Sequence, residues 1–122
     1  MIAALLQGCP RDTRPRETRS ASGNIMITEP RPSDTISSPV KVVGKARVFE
    51  AALTVRVLSK DGKELGRANI MASQGAPNFG DFSVDVKFTK PAGVSEGFVE
   101  ALFYSAKDDS PINVVRVPVH FK

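Results

Sequence analysis

"DFSVDVKFT", residues 81–89, sets the pattern by which the rest of the chain is read. Phe82, Val84, Val86 and Phe88 fall on one side of an extended backbone, and Ser83, Asp85 and Lys87 on the other. That period of two marks a strand with one face in a core and one in water. "VKVVGKARVF" (40–49) repeats it, with Val40, Val42, Ala46 and Val48 inward and Lys41, Lys45 and Arg47 outward. Gly44 interrupts the inward face and is expected at a bulge or bend. "LTVRVLS" (53–59) turns Leu53, Val55 and Val57 inward, and Asp61-Gly62 then signals a tight hairpin, because glycine accepts positive φ without steric cost. The return strand lies in "ELGRANIMAS" (64–73), with Ala68, Ile70 and Ala72 inward.

The remaining segments extend the pattern in both directions. "NIMIT" (24–28) is a short strand, and "EPRPSDTISSP" (29–39), with three prolines, is a loop. "GFVEALFYSA" (97–106) is apolar on both faces except at Glu100, as expected of a central strand with one face partly covered. "INVVRVPVHF" (112–121) turns Val115, Val117, Val119 and Phe121 inward. Its Pro118 cannot donate to a ladder, which puts this strand at an edge, at least at that position. Helical periodicity is absent. Seven strands separated by turns describe an all-β fold, an immunoglobulin-like β-sandwich, without the Cys…Trp…Cys of antibody domains.

Composition bounds the function. The chain has 122 residues, room for one domain, and a net charge of +4. Half of that charge sits in residues 10–22, where four arginines face Asp12 and Glu17. The rest is nearly neutral, so the clustered basic face that nucleic acid requires is missing. One cysteine excludes an internal disulfide and a cysteine-based zinc site.

That cysteine ends Leu6-Gln7-Gly8-Cys9, which resembles a bacterial lipobox. The small residue before the cut fits a narrow peptidase pocket, and the thiol is the nucleophile that receives the lipid. Only eight residues precede Cys9 and none is charged, whereas secretory signals run about 15–30 residues from a basic start. The pattern is therefore either the end of a signal that begins upstream of Met1 or a chance sequence. The order of apolar run, lipobox and tether favours the first. The expected organisation is a partial signal over 1–9, a disordered Arg/Pro/Ser tether over 10–23 and the domain over 24–122. Fully extended, the tether would span at most about 50 Å.

At the level of motifs, "SSPVKVVGKARVFEAALTVRVLSKDGKEL" (37–65), "GDFSVDVKF" (80–88) and "SAKDDSPINVVRVPVHF" (105–121) resemble the immunoglobulin-like domain of bacterial spore germination, a family often found beside GerM-type domains. The likeness covers roughly residues 24–121. A loop usually written Asp-Gly there reads Asp108-Asp109 here. The resemblance implies a non-enzymatic, extracytoplasmic module, anchored through lipid on Cys9 rather than by a spanning helix. Its partners would be envelope or spore-coat and cortex proteins, with peptidoglycan a further candidate.

Chemistry-bearing residues are few. His120, the only histidine, falls on the outward phase of the last strand with no second ligand beside it. Asp81, Asp108, Asp109 and Ser110 offer oxygens but lack the Asp-x-Asp-x-Asp spacing of a calcium loop, so turn roles are expected. A catalytic base at Glu50 would need a partner acid, nucleophile or metal, and none is identifiable. Pairing with Arg47 or another basic residue, or acceptance from loop N–H groups, is the expected role, with recognition second. No cofactor is implied. With no Trp and only Tyr104, a stacking sugar site is disfavoured. The candidate interaction surface is Phe49, Glu50, Tyr104, Asp108 and Asp109. The alternative function is a soluble extracytoplasmic carrier of cell-wall fragments or metal.

Overall fold

The computed structural model describes residues 17–122 apart from 106 and 109, with residue 49 described by its backbone alone. Nine strands occur among the described residues: β1 (Thr18–Arg19), β2 (Ile25–Glu29), β3 (Thr35–Ile36), β4 (Val40–Ala46), β5 (Ala52–Ser59), β6 (Glu64–Met71), β7 (Gly80–Val86), β8 (Glu96–Tyr104) and β9 (Pro111–Phe121). A short 3₁₀ turn, Phe49–Ala51, joins β4 to β5. The strands form a four-stranded sheet, β1-β2-β4-β7, and a five-stranded sheet, β3-β9-β8-β5-β6. Every pairing is antiparallel except β3 with β9, which is parallel. This is the all-β, immunoglobulin-like sandwich that the alternation predicts.

Between the sheets lie the inward phases read from sequence. Val42, Val55, Val57, Val86, Val99 and Val117 are fully buried, beside Ile25 and Ile27. Burying each such side chain stabilises the fold by about 1.5–3 kcal/mol before chain entropy is counted. The Asp61-Gly62 hairpin forms between β5 and β6, with Gly62 at φ 90° and its N–H donating to the Ser59 carbonyl at 2.9 Å.

Four elements differ from the sequence reading. Thr18 and Arg19, assigned there to the tether, pair with Met26 and Ile27 of β2, and Ser20 is buried beside them. The Pro-rich loop contains β3, too short to show periodicity. The segment 81–89 leaves its sheet after Val86 and crosses to the other, where the Thr89 N–H donates to the Leu65 carbonyl and the Phe88 and Phe121 rings meet at 5.5 Å. β9 is second from the edge rather than outermost, but the proline rule still holds where it applies. The Pro118 carbonyl accepts from the Ser33 N–H at 2.8 Å, so its nitrogen also faces away from β8 and no ladder bond is lost.

At Gly44 the irregularity lies on the partner strand. The register of β2 slips between Ile27 and Glu29, opposite Gly44 and Val43. A Cβ on Gly44 would stand 2.0 Å from the Met26 carbonyl oxygen and 2.8 Å from the end of the Phe82 ring. The backbone neighbour cannot swing aside as a side-chain tip would. Gly44→Ala should therefore destabilise the domain by about 1–3 kcal/mol, the range for overpacking, or more if the β2 bulge is displaced. Urea unfolding of the variant against wild type measures it.

Candidate functional site

The sandwich presents two outer faces of different character. On the four-stranded sheet, Lys41, Lys45, Asp81 and Asp85 mix both signs, and Lys45 pairs with Asp81 at 3.3 Å. The outer face of the five-stranded sheet carries a row of charge perpendicular to the strands. Register places Arg67, Arg56, Glu100 and Arg116 side by side on β6, β5, β8 and β9.

Glu100 is completely buried although no second layer packs over it among the described residues. Its Oε1 accepts from Arg56 Nε and its Oε2 from Arg116 Nε, each at 2.5 Å. The Arg116 guanidinium also lies 5.7 Å above the Phe98 ring. Arg56 and Arg67 stand directly opposite, an arrangement that repels on its own. Glu64 relieves it, accepting from Arg67 Nε and Nη2 at 3.0 and 2.7 Å, with Arg56 Nη1 at 3.5 Å. The Arg67 guanidinium, bonded to Glu64, holds that carboxyl below its ordinary range. Leu58 and Leu102 are also buried on this side, while Met71 is 69% and Val114 37% exposed. An open cleft of about 460 Å³ runs beside Met71 and Tyr104, with Leu53, Ile70 and Phe103 in its wall.

Antiparallel pairing brings the β4–β5 turn and the β8–β9 loop to one end of the sandwich, which gathers Glu50, Tyr104 and Asp108 there. Glu50 is exposed with φ 55°, followed by Ala51 at φ 61°, and Asn113 has φ 57°. Left-handed backbone in non-glycine residues stores about 1–3 kcal/mol each and needs surrounding support. The Ala51 and Ala76 N–H groups both donate to the Val48 carbonyl, and Asn113 Oδ1 accepts from Ser22 Oγ and Asn24 Nδ2. The expected Glu50–Arg47 pair does not form. Arg47 instead donates to Asn24 Oδ1 and stacks 4.7 Å above the Phe79 ring.

Asp108 takes a turn role: the Ser110 hydroxyl and N–H donate to it and hold its carboxyl below the ordinary range. Tyr104 is half-buried at the end of β8. His120 is exposed, with Nδ1 4.0 Å from Glu96 Oε2. Cys9 and Asp109 lie outside the described residues, as does the Phe49 side chain. Among the described residues no cluster of His, Cys, Asp and Glu could hold a metal, and no helix is long and apolar enough to cross a membrane.

Sequence reasoning missed the ion row. Its signal was present in part: Glu100 is the one charge in an otherwise apolar segment, and Arg56 falls on an outward phase of a neighbouring strand. Assigning the partners required the register.

Replacing Glu100 by Gln should lower stability by about 1–3 kcal/mol, because the buried carboxylate that accepts from both arginines is replaced by an amide whose NH2 faces one of these donors. Thermal unfolding should show a fall of about 4 °C or more. Acid unfolding tests Glu64. A carboxyl held below its unfolded value of 4.5 stabilises the fold fully above that pH, and the contribution disappears as pH falls through the lower folded value. The stability gap between wild type and Glu64→Gln should stay constant from neutral pH to about 5, then close on further acidification.

The sequence profile of the immunoglobulin-like domain of bacterial spore germination matches residues 24–110. No curated protein matches the chain.

Proposed function

Because the chain belongs to the family of immunoglobulin-like domains of bacterial spore germination, we propose that it is a non-enzymatic binding or scaffolding module of the cell envelope. The observation that carries this reading is the outer face of the five-stranded sheet. Its charged side chains are fixed by Glu100 and Glu64 rather than free to reorganise, while Met71 stands 69% exposed beside them. Rigid side chains lose little entropy when a partner covers them, and arginine and tyrosine are the residue types that anchor such contacts. Catalysis would require a nucleophile or base aligned with a second group. Glu50, the strained carboxylate at the loop end, has no hydrogen-bond or ion-pair partner among the described residues.

The module works outside the cytoplasm, held to the membrane through lipid on Cys9 and separated from it by the segment that follows. Arginines near the membrane surface assist attachment at about 1 kcal/mol each. Partners are envelope, spore-coat or cortex proteins.

Two measurements test this reading. The gene is expressed with its upstream DNA, beside a Cys9→Ala variant, and cells are fractionated. Wild type should partition with membranes and incorporate labelled fatty acid, and the variant should lose both. Soluble intracellular protein in both cases would overturn the envelope assignment. A photo-reactive residue is then placed in turn at Lys41, Glu50, Met71, Asp85 and Val114 in living cells. A discrete adduct from at least one site is expected. Monomer from every site would overturn the binding role.

A further inference from the structure

Resting on that reading, we propose that the outer face of the five-stranded sheet docks an acidic protein segment, with Arg116 receiving a partner carboxylate and Met71, Val114 and Tyr104 receiving its apolar side chains. The argument begins with which charges reach solvent. Glu100 contributes −1 to the face but is completely buried, with one oxygen on Arg56 and the other on Arg116. Glu64 is chelated by Arg67. Arg116, by contrast, is 53% exposed. Only its Nε is engaged, so its two terminal nitrogens have no hydrogen-bond partner among the described residues. Those nitrogens form the planar fork that fits a carboxylate with two parallel bonds. The Nε bond to Glu100 and the Phe98 ring beneath keep the fork aimed outward, so a second carboxylate meets a guanidinium already in position.

The neighbours of the fork point to a protein rather than a simple anion. Val114 lies two residues before Arg116 on the same face of β9, since Val115 and Val117 point into the core. Across the sheet, Met71 and Tyr104 border the 460 Å³ cleft, and the Tyr104 hydroxyl lies beside Arg67. A phosphate polymer or lipid headgroup has nothing to place on these apolar groups, and an acidic segment with interleaved Leu or Phe has. A second copy of the same face is disfavoured, because it has no free carboxylate to offer the fork: Glu100 and Glu64 are already held by arginines of their own sheet. Towards the opposite end of the face, Glu96 is accompanied by Lys60 at 3.7 Å and His120 at 4.0 Å, so the one partly exposed carboxylate there has cations around it.

The test titrates the isotope-labelled full chain with a synthetic peptide of Glu-Phe-Glu-Leu repeats and follows backbone amide shifts. Its Gln-for-Glu counterpart, poly(glycerol phosphate) and phosphatidylglycerol vesicles serve as comparisons. Shifts should concentrate at Met71, Tyr104, Val114 and Arg116, weaken with salt and be absent with the Gln peptide. Arg116→Gln should raise Kd about tenfold or more, since one charge-assisted contact is lost. That substitution also frees one oxygen of Glu100, so Met71→Glu is the second variant. It leaves the ion row intact, and its carboxylate should repel the acidic peptide. Arg47→Gln, just past the end of β4 in the other sheet, should change nothing. Equal or stronger binding of the polymer or the vesicles at this face overturns the protein assignment. Peptide shifts elsewhere, or none, overturn the docking face. An in-cell adduct from Lys41, Asp85 or Glu50 would in that case leave the binding role intact and move it to another surface.

Discussion

The carboxylate of Glu100 lies fully buried between two guanidiniums, and the five-stranded sheet can be assembled in few other ways. The apolar pattern alone is permissive. Val55 and Val57 on β5, and Val115, Val117 and Val119 on β9, are so alike that a slip of two residues would keep valine facing the core. The same slip would carry Arg56 or Arg116 away from Glu100 and leave one oxygen of a buried carboxylate without its cation. Removing one partner from a buried ion pair costs about 3–5 kcal/mol, a large share of the 5–15 kcal/mol that separates folded from unfolded states. Stability comes mainly from the valine layer. Discrimination between registers comes from the ion row.

Once β5, β8 and β9 are in register, the rest of the sandwich is positioned by close contacts with little tolerance. The second sheet depends on Gly44, where the Phe82 ring and the Met26 carbonyl occupy the space a side chain would need. The crossover after β7 ties the sheets together at one side, through Thr89 to Leu65 and Phe88 to Phe121. At the loop end, the Val48 carbonyl and Asn113 hold backbone that would not adopt left-handed conformations unaided. Few of these features leave freedom for large rearrangement, which suits a module that presents a surface rather than one that closes around a substrate.

Edges receive separate treatment. β1 and β3, of two residues each, cover the outer sides of β2 and β9. β6 is longer and more open. The Ala72 N–H donates to Ala51, so the ladder bonds of β6 alternate through Ile70 and Ala68, and the backbone groups of Arg67, Asn69 and Met71 point out of the sheet. The charge at Arg67 and the register shift near Glu64 discourage uncontrolled strand addition there. Family membership accounts for this architecture and for an association with spore germination.

From sequence alone, the period-two alternation determined the class of fold, the inward residues and the hairpin at Asp61-Gly62, because a half-buried strand must alternate and a tight turn must tolerate positive φ. The order of the motifs also made the family legible. Short elements were not legible: β1 and β3 have two residues each and no periodicity of their own, and β3 is held by β9, far along the chain. The ion row was hidden for a related reason. Arg56, Glu100 and Arg116 are separated by tens of residues, and each alone reads as an outward or interrupting polar position. Only the tertiary structure made them neighbours, since cross-strand contact depends on register and strand order, which long-range packing decides.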